Sequence, residues 1–517
     1  MEEEEQEDMS DATSGDGPTE SLAALRDAID SPLNGASVLA DAYHTCRFSE
    51  LRGLFSGIQA HLAERNVLPG DCIALELANT VPSALLALSC LDADISIMLV
   101  PMEGLGARVA GTHFEAPRFC RWIVAVRDGL RPGQRNLTAP ETYIVVRRNP
   151  DYDAASAAGR VRGRLYLRTS GSLGVPKVVA WSVENFLTNV RHARERLGLG
   201  RAHRVALPVP IFHGFGFGAA FLSCVFAGAS VDLQDRANLL RYLERERQFD
   251  PNVAFVTPSF CEILTRGRRA PRPYEFMLTG GDRIGETAFF RSEELHGPLI
   301  SAYGCSEMGF VFCGDLGMSA ELRCRTVGRP LPFASFRVVP EQQASDESLG
   351  TLQIQYRYRS EGYVDFGGSA IGFDGALLEG DWYPSADLAR PGPDGTVEVL
   401  GRRDLSVKRN SMLLPFADLE AALRDLDGVE DAGVAIGPEG IRGRMLVGYC
   451  KVKHGGEQAE ARLRAALANR VPSFAMPERI RAVPTLPRLP NGKIDRTTLS
   501  RWALAETFPV TVAPGAA

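Results

Sequence analysis

Apolar positions along the chain follow two spacings in turn, one typical of helices and one typical of buried strands. The segment 48–66, FSELRGLFSGIQAHLAERN, places apolar residues three and four apart, whereas the segment 72–77, CIALEL, is a short apolar run. The same alternation returns at 190–210 and at 239–258. Strands that alternate with helices predict a layered α/β fold with a largely parallel sheet.

The predicted elements become shorter after Gly401, with helices at 416–426 and 459–470 and strands at 432–438 and 444–452. The length of 517 residues also exceeds that of one ordinary domain. We therefore predict a large multi-sheet α/β domain followed by a small mobile α+β domain. The predicted boundaries are a disordered acidic tail at 1–30, a large domain at 31–400, a small domain at 401–508 and a frayed tail at 509–517.

Negative charge is concentrated in the first twenty residues, which hold nine acids and no base. Since the whole chain carries −7, the remainder carries about +2, from −7 minus −9. A segment this acidic and this poor in apolar residues is typical of disorder, either as a solvating extension or as a docking segment for a basic partner. It lacks the basic start and apolar core of a secretion signal, so we expect a cytoplasmic protein.

Three further classes are disfavoured by composition. The ten cysteines are scattered singly, which favours reduced core residues over disulfides or a metal site. The apolar run 205–231 is interrupted by Pro208, Pro210 and several glycines, which favours a buried loop and helix over a membrane span. The basic stretches lack a recognition motif for nucleic acid, so no nucleic-acid partner is expected.

The segment 166–181, YLRTSGSLGVPKVVAW, gathers small polar groups and one cation between two strand-like runs. Phosphate oxygens are bound by hydroxyl, amide and ammonium donors, and glycines allow the backbone to approach them closely. The pattern indicates a strand-loop-strand phosphate clamp, and an ordinary hairpin is the alternative from these residues alone. The candidate groups are Thr169, Ser170, Gly171, Ser172, Gly174 and Lys177.

This segment resembles the phosphate-loop signature of the adenylate-forming superfamily, which includes acyl-CoA synthetases, adenylation domains of peptide synthetases, and luciferases. Six further motifs resemble those of the family in the same order along the chain. They are PIFHGFGFG, LTGGDRI, AYGCSEMG, WYPSADLA, GRRDLSVK and LPRLPNGKIDR, the last ending at residue 496. The resemblance implies an AMP-forming ligase that uses ATP and Mg²⁺ to adenylate a carboxylic acid, releases pyrophosphate and passes the acyl group to a nucleophile.

The resemblance also implies roles for individual residues. Lys493 corresponds to the lysine that bridges the carboxylate and the α-phosphate, and Glu307 to a magnesium ligand. His213 corresponds to a histidine at the acyl pocket, and Asp404 to the hinge about which the small domain turns. The residues expected around the nucleotide are Gly280 and Gly281 beside adenine, Tyr303 against it, Ser306 in place of the family threonine, and Asp387 and Arg402 on the ribose hydroxyls.

Ser306 and Ala386 are mild departures from the family pattern, and two other positions depart more strongly. Leu173 replaces a threonine of the phosphate loop and removes one hydroxyl. Ser411 replaces a glycine in the turn that approaches the acyl site during transfer. The second departure casts more doubt on the transfer step than on adenylation.

The acid and the acceptor stay open at this stage. Phe212, Phe215 and Phe217 suggest flat apolar pocket walls that suit an aryl or other planar unsaturated acid. CoA is the expected acceptor, and the alternatives are a separate acyl or peptidyl carrier protein, or activation of nitrite for diazotisation of an aromatic amine. A non-catalytic relative that only binds a nucleotide or adenylate is the competing class, and the presence of both Lys493 and Glu307 favours an enzyme.

Overall fold

The computed structural model describes most of the chain between residues 20 and 505. The described residues are 20–102, 116–127, 136–157, 162–168, 178–340, 348–365, 367, 369–373, 377–378, 380–409, 412–440, 443–453, 456–471, 475–489 and 493–505. The frayed tail predicted at 509–517 lies outside these residues, as does most of the acidic tail.

Helices and strands alternate through much of the chain, as the apolar spacing predicts. The helices are α1 Glu20–Asp30, α2 Leu51–Glu64, α3 Val81–Asp92, α4 Ala154–Ala157, α5 Val183–Leu197, α6 Ser223–Ala227, α7 Leu239–Phe249, α8 Pro258–Gly267, α9 Glu286–His296, α10 Ala320–Arg325, α11 Phe416–Arg424, α12 Glu457–Ala468 and α13 Arg496–Leu504. The strands are β1 Val38–Ala40, β2 Thr45–Arg47, β3 Cys72–Leu77, β4 Ser96–Pro101, β5 Trp122–Val126, β6 Ile144–Arg148, β7 Arg164–Arg168, β8 Val178–Ser182, β9 Arg204–Leu207, β10 Ser230–Leu233, β11 Val253–Val256, β12 Phe276–Gly280, β13 Leu299–Cys305, β14 Gly309–Cys313, β15 Arg329–Pro330, β16 Ala334–Pro340, β17 Gly350–Tyr356, β18 Gly362–Val364, β19 Ala370–Gly372, β20 Tyr383–Pro391, β21 Val397–Arg402, β22 Ser406–Arg409, β23 Met412–Pro415, β24 Val429–Gly440, β25 Gly443–Val452 and β26 Arg479–Val483.

Two large sheets form the framework of residues 20–402. One has the order β15-β14-β13-β12-β11-β9-β10-β1-β2, and the other has the order β19-β18-β8-β7-β4-β3-β5-β6. Each is parallel at its centre and antiparallel towards its edges. The prediction of a multi-sheet α/β domain is confirmed. Both large sheets are mixed and not largely parallel, because hairpins such as β7-β8 extend the parallel centres.

A four-stranded antiparallel sheet of order β16-β17-β20-β21 follows, and then the small C-terminal domain with sheets β22-β23 and β24-β25-β26. Apolar cores of the first part are built from residues between 22 and 400, and those of the small domain from residues between 405 and 503. The predicted boundary at 400/401 falls inside β21, which pairs with β20. The two bodies therefore meet at the end of β21.

The N-terminal tail prediction is wrong for residues 20–30, which form α1. Leu22, Leu25 and Ile29 lie on one face of this helix and are buried in the main core. The side chain of Glu184 accepts hydrogen bonds from the Ser21 N–H, at 2.9 and 3.2 Å. Three apolar residues at helical spacing are enough to dock the segment, although the nine acids before and at its start dominate the local composition.

The apolar run 205–231 contains most of β9, a π-helical segment Phe215–Leu222, α6 and the first half of β10. This matches the predicted buried loop and helix. Among the described residues, no helix has the length and apolar character needed to cross a membrane.

Candidate active site

The ends of β13, β20 and β21 bring three predicted nucleotide-binding residues together. Asp387 and Arg402 are directly opposite each other in the β20-β21 ladder, with Arg402 Nε 3.9 Å from Asp387 Oδ1. The hydroxyl of Tyr303 donates a hydrogen bond to Asp387 Oδ2 at 2.5 Å. Burial, together with the charge of Asp387, raises the pKa of Tyr303 well above its usual value. Tyr303 is therefore a neutral donor that fixes a buried carboxylate.

The predicted glycine turn lies at the end of β12. A Cβ atom on Gly280 would lie 3.3 Å from the carbonyl oxygen of Ala302 and 3.5 Å from the ring of Phe215, so a side chain here would crowd both. Gly281 has φ +87°, in the left-handed region that favours glycine. A Cβ on Gly281 would also lie 4.0 Å from Cε of Lys493, which the small domain contributes. The glycines thus leave room at the position that the lysine side chain reaches.

Glu307 and Ser306 follow β13 in a turn held by three hydrogen bonds. Trp181 Nε1 donates to the carbonyl of Ser306 at 2.8 Å, and the Ser360 N–H donates to the carbonyl of Glu307 at 3.0 Å. The hydroxyl of Tyr363 donates to Glu307 Oε1 at 2.7 Å. Burial and the charge of Glu307 raise the pKa of Tyr363, so the phenol stays protonated and orients the carboxylate.

Tyr363 and its neighbour Tyr383, whose hydroxyl lies 3.4 Å away, are residues that the sequence analysis missed. Tyr383 directly follows the tryptophan of WYPSADLA, and Tyr363 follows a glycine in a short apolar run. No spacing in the sequence relates the two to Glu307, since they lie 56 and 76 residues away. The one signal in the sequence that could have indicated these two tyrosines is the presence of an aromatic residue next to a motif.

Glu307 fits the pattern of a magnesium ligand used together with substrate phosphates. Among the described residues, no group of three or more histidine, cysteine or acidic side chains has the geometry of a metal site. Magnesium in nucleotide enzymes is commonly held by one or two carboxylates, with phosphate oxygens and water completing the octahedron. One carboxylate held by Tyr363 at a fixed orientation suits that arrangement.

His213 lies just before the π-helical segment, beside the ring of Phe212 at a centroid distance of 4.5 Å. Its Nε2 atom is buried and has no hydrogen-bond partner among the described residues. Burial, and secondly the positive charge of Lys493, lower the pKa of His213 to about 4. The imidazole is therefore neutral at physiological pH.

The cleft beside His213 is apolar. The described residues that line it there are Val209, Phe212, Phe215, Gly218, Ala219 and Phe310, none of which is charged. Phe217 was predicted as a further wall, and this is wrong. It is fully buried and packs against Phe186 and Phe221 instead, because the helical turn directs it into the core.

The strands that flank the predicted phosphate loop, β7 and β8, form an antiparallel pair as expected. The loop candidates Thr169, Ser170, Gly171, Ser172, Gly174 and Lys177 lie outside the described residues, as do Leu173 and Ser411. Asp404 lies in the 3₁₀ turn Arg403–Leu405, which directly follows β21. The predicted hinge is thus located at the connection between the two bodies.

Comparisons with known proteins agree with these motifs. The family model described as AMP-binding enzyme matches residues 165–364, and the model described as AMP-binding enzyme C-terminal domain matches residues 418–493. The chain is 26% identical to an anthranilate–CoA ligase of Pseudomonas aeruginosa, over 86% of this chain and 89% of that protein. It is 25% identical to a 2-hydroxy-7-methoxy-5-methyl-1-naphthoate–CoA ligase of Streptomyces carzinostaticus, over 90% of each.

The fold also matches a solved structure, the anthranilate CoA ligase AuaEII in complex with anthranoyl-AMP. The TM-score is 0.72 at 15% identity, over 94% of this chain and 97% of that one. At this identity the likeness concerns the fold, which includes both the large part and the small C-terminal domain.

Proposed function

The chain belongs to the adenylate-forming superfamily of AMP-binding enzymes, and on that premise we propose that it activates an aryl carboxylic acid with ATP and transfers the acyl group to CoA. The observation that carries this proposal is the position of Lys493. The small domain presents this lysine to the same cleft that Tyr303, Asp387 and Glu307 line from the large domain. A binder of nucleotides has no need of a cation delivered from a second domain.

In the proposed first step, a carboxylate oxygen of the acid attacks the α-phosphorus of ATP. A phosphorus–oxygen bond forms there while the bond to pyrophosphate breaks, giving an acyl-adenylate. Both reactants are anions, so Lys493 reduces their repulsion and stabilises the charge that develops on the α-phosphate. Asp387 accepts hydrogen bonds from the ribose hydroxyls, with Arg402 beside it, and Tyr303 keeps the carboxylate in place.

Glu307 would hold magnesium, which when bound neutralises phosphate charge. The contribution of the chain is to orient this carboxylate through the hydroxyl of Tyr363. In the second step the CoA thiolate attacks the acyl carbonyl carbon and AMP leaves, forming a thioester. The neutral imidazole of His213, with no partner on Nε2 among the described residues, lies beside this acyl position and can form a hydrogen bond there, whereas its lowered pKa makes it a weak base for a thiol proton.

The apolar lining supports an aryl acid without a second charged group near the ring. Phe212 and Phe215 line the cleft and offer flat aromatic faces. The relatives named above act, by their names, on anthranilate and on a substituted naphthoate, and both use CoA. These two points favour an aromatic acid and CoA for this chain.

Pyrophosphate release tests the proposal. The assay contains ATP and magnesium, with a panel of benzoates, naphthoates, cinnamates, short aliphatic and medium-chain acids, each with and without CoA. A separate arm offers nitrite with an aryl amine. We expect release with one aromatic acid and its conversion to a thioester when CoA is added.

Each other outcome has a distinct meaning. Release that occurs with an aromatic acid but yields no thioester with CoA would support a carrier protein as the acceptor. Release in the nitrite arm alone would support diazotisation. Absence of pyrophosphate release with every substrate, combined with an ATP-dependent increase in melting temperature, would support a non-catalytic binder.

A further inference from the structure

The glycine turn that borders the cleft also contacts the small domain. Arg283, two residues after Gly281, places Nη1 2.8 Å from Oδ1 of Asp418 in α11. Its Nη2 lies 3.7 Å from Oε1 of Glu398 in β21. One guanidinium therefore joins the turn, the strand that leads to the predicted hinge, and the first helix of the small domain.

The helix α11 is in turn tied to the segment that carries Lys493. Glu420, two residues after Asp418, is buried and pairs with both terminal nitrogens of Arg496, with Nη2 3.0 Å from Oε2. The Val434 N–H donates a further hydrogen bond to Glu420 Oε1 at 2.7 Å. Arg496 lies three residues after Lys493. A buried and fully bonded carboxylate thus connects the Arg283 contact to the lysine.

Other contacts between the two bodies are longer or involve only the backbone. Arg266 of α8 donates to the carbonyl of Glu430 at 2.5 Å, and Arg424 Nη1 lies 3.9 Å from Oε1 of Glu262. The ion pair of Arg283 with Asp418, at 2.8 Å, is shorter than that of Arg424 with Glu262, at 3.9 Å. It also lies nearest in sequence to the glycines of the site.

We propose that Arg283 is a positioning residue, whose ion pair with Asp418 holds the small domain where Lys493 reaches the cleft. The inference rests on the proposed two-step function. If the two steps use different positions of the small domain, a contact that stabilises the first position slows the second step. An ion pair present in one pose and absent from another shifts the equilibrium between them. Arg283 therefore favours adenylation over transfer.

The expected size of the effect follows from exposure. The side chains of Arg283 and Asp418 are 38% and 45% exposed, so water and salt screen their attraction. Exposed ion pairs change equilibria by about two- to fivefold. A change of that size is small for the stability of the fold but measurable in the ratio of the two half-reactions.

The test measures each half-reaction in Arg283→Met, Asp418→Asn, the double variant and Arg283→Lys. Arg291→Met is the matched control, because Arg291 is an exposed arginine of α9 that pairs only weakly with Glu294, at 4.0 Å. We expect single-turnover adenylate formation to fall about two- to fivefold in both single variants and thioester formation from preformed adenylate to be unchanged or faster. The double variant should be no slower than the single ones, and Arg283→Lys should retain most of the wild-type rate.

A second readout needs no activity and separates failure of this proposal from failure of the proposed function. Dyes at Leu240 and Asp427, both exposed and on opposite bodies, report the distance across the cleft by Förster transfer. Arg283→Met should shift the transfer efficiency at low salt, and Arg291→Met should not. Unchanged efficiency and unchanged rates, equal losses in both half-reactions, or additive losses in the double variant would each overturn the role of Arg283. A shift in transfer efficiency without pyrophosphate release from any acid would support the interdomain role of Arg283 and refute the proposed ligase activity.

Discussion

The two walls of the cleft are built differently. On the large-domain wall, Tyr303, Asp387 and Glu307 lie in or just after strands and are fixed by hydrogen bonds, two of them from tyrosine hydroxyls. On the small-domain wall, Lys493 is exposed and lies in the segment between β26 and α13. The first wall is set by the fold of one domain, whereas the second depends on where the other domain sits.

Because of this difference, we expect the large-domain wall to serve binding and the small-domain wall to serve the chemical step. Groups fixed by strand ends cost no reorganisation when a nucleotide arrives, so they suit binding and orientation. A lysine brought by a second body can be present for one step and absent from the next. Substitutions on the two walls are therefore expected to affect different kinetic constants.

The largest effect is expected on the small-domain wall. Lys493→Ala should lower the rate of adenylate formation by about 100- to 1,000-fold, because one donor aimed at developing charge is removed. The melting temperature should stay within a degree or two of the wild type, since the side chain is exposed. Stopped-flow measurement of pyrophosphate release checks this.

Lys453→Ala is the control, since that lysine lines the small-domain side of the cleft away from the glycine turn. Near-normal release in Lys493→Ala would remove the assigned role of the lysine and the contrast between the walls. A similar loss in both variants would mean that the rate depends on the overall positive charge of the cleft and not on the position of Lys493.

On the large-domain wall, Asp387→Asn should raise the KM for ATP by about tenfold and change kcat less. The amide oxygen can still accept from Tyr303, but the charge that binds the ribose hydroxyls is lost, and charge-assisted hydrogen bonds contribute about 1.5–3 kcal/mol. Asp381→Asn is the matched control, because Asp381 is exposed and pairs with Arg359 at 3.1 Å. A fall in kcat with an unchanged KM would place Asp387 in the chemistry instead of in binding.

The sequence predicted the large-domain wall well, because its residues belong to short motifs at the ends of strands. Asp387 and Arg402 were expected to flank one diol, and the β20-β21 ladder places them opposite each other. Gly281 was expected in a turn, and its φ of +87° is one that glycine adopts readily. Local sequence determines local backbone geometry at such positions.

Long-range packing was much harder to predict. Tyr363, which donates a hydrogen bond to Glu307, lies 56 residues from it, and the ion pair of Arg283 with Asp418 joins two bodies across 135 residues. The wrong expectations have similar causes: Phe217 faces the core because of a helical rotation, and α1 docks through three apolar residues within an acidic context. None of these follows from the pattern of a single segment.

The lowered pKa of His213 can be tested by measuring how the stability of the protein depends on pH. Because the folded-state pKa of His213 is about 4, below its unfolded value of about 6.5, the native protein binds fewer protons than the unfolded chain in this window. Its contribution to the free energy of unfolding is therefore present above pH 6.5 and is lost as the pH falls towards 4. By pH 5 the loss is about 2 kcal/mol.

Denaturant unfolding of wild type and His213→Gln between pH 8 and pH 5 measures this. We expect the wild type to lose more stability than the variant over that range. Because Lys493 contributes to the lowered pKa, the difference should shrink in a Lys493→Ala background, which would show that the two walls interact. Parallel pH profiles of wild type and His213→Gln would contradict the burial of a neutral imidazole here.

The smallest effect is expected at Tyr363, whose hydroxyl supports Glu307 without touching the nucleotide. Tyr363→Phe keeps the ring in its packing against Phe373 and removes the hydroxyl that donates the 2.7 Å hydrogen bond to Glu307 and lies 3.4 Å from that of Tyr383. Loss of one hydrogen bond to a carboxylate corresponds to about 1.5–3 kcal/mol, and this partly buried bond is expected near the lower end of that range, roughly tenfold. We expect a three- to tenfold higher magnesium concentration at half-maximal adenylation, about what that energy allows, with little change once magnesium is saturating.

Two matched variants decide what the effect means. Tyr358→Phe removes a hydroxyl from an aromatic cluster remote from Glu307 and should leave the magnesium titration unchanged. Tyr383→Phe removes the hydroxyl that lies 3.4 Å from that of Tyr363. It should shift the magnesium titration less than Tyr363→Phe does. A shift that persists at saturating magnesium would mean that Tyr363 supports the fold of this wall as a whole. A shift confined to low magnesium would mean that tyrosine hydroxyls orient both carboxylates of the large-domain wall, Asp387 and Glu307, whereas Lys493 is brought to the cleft by the small domain.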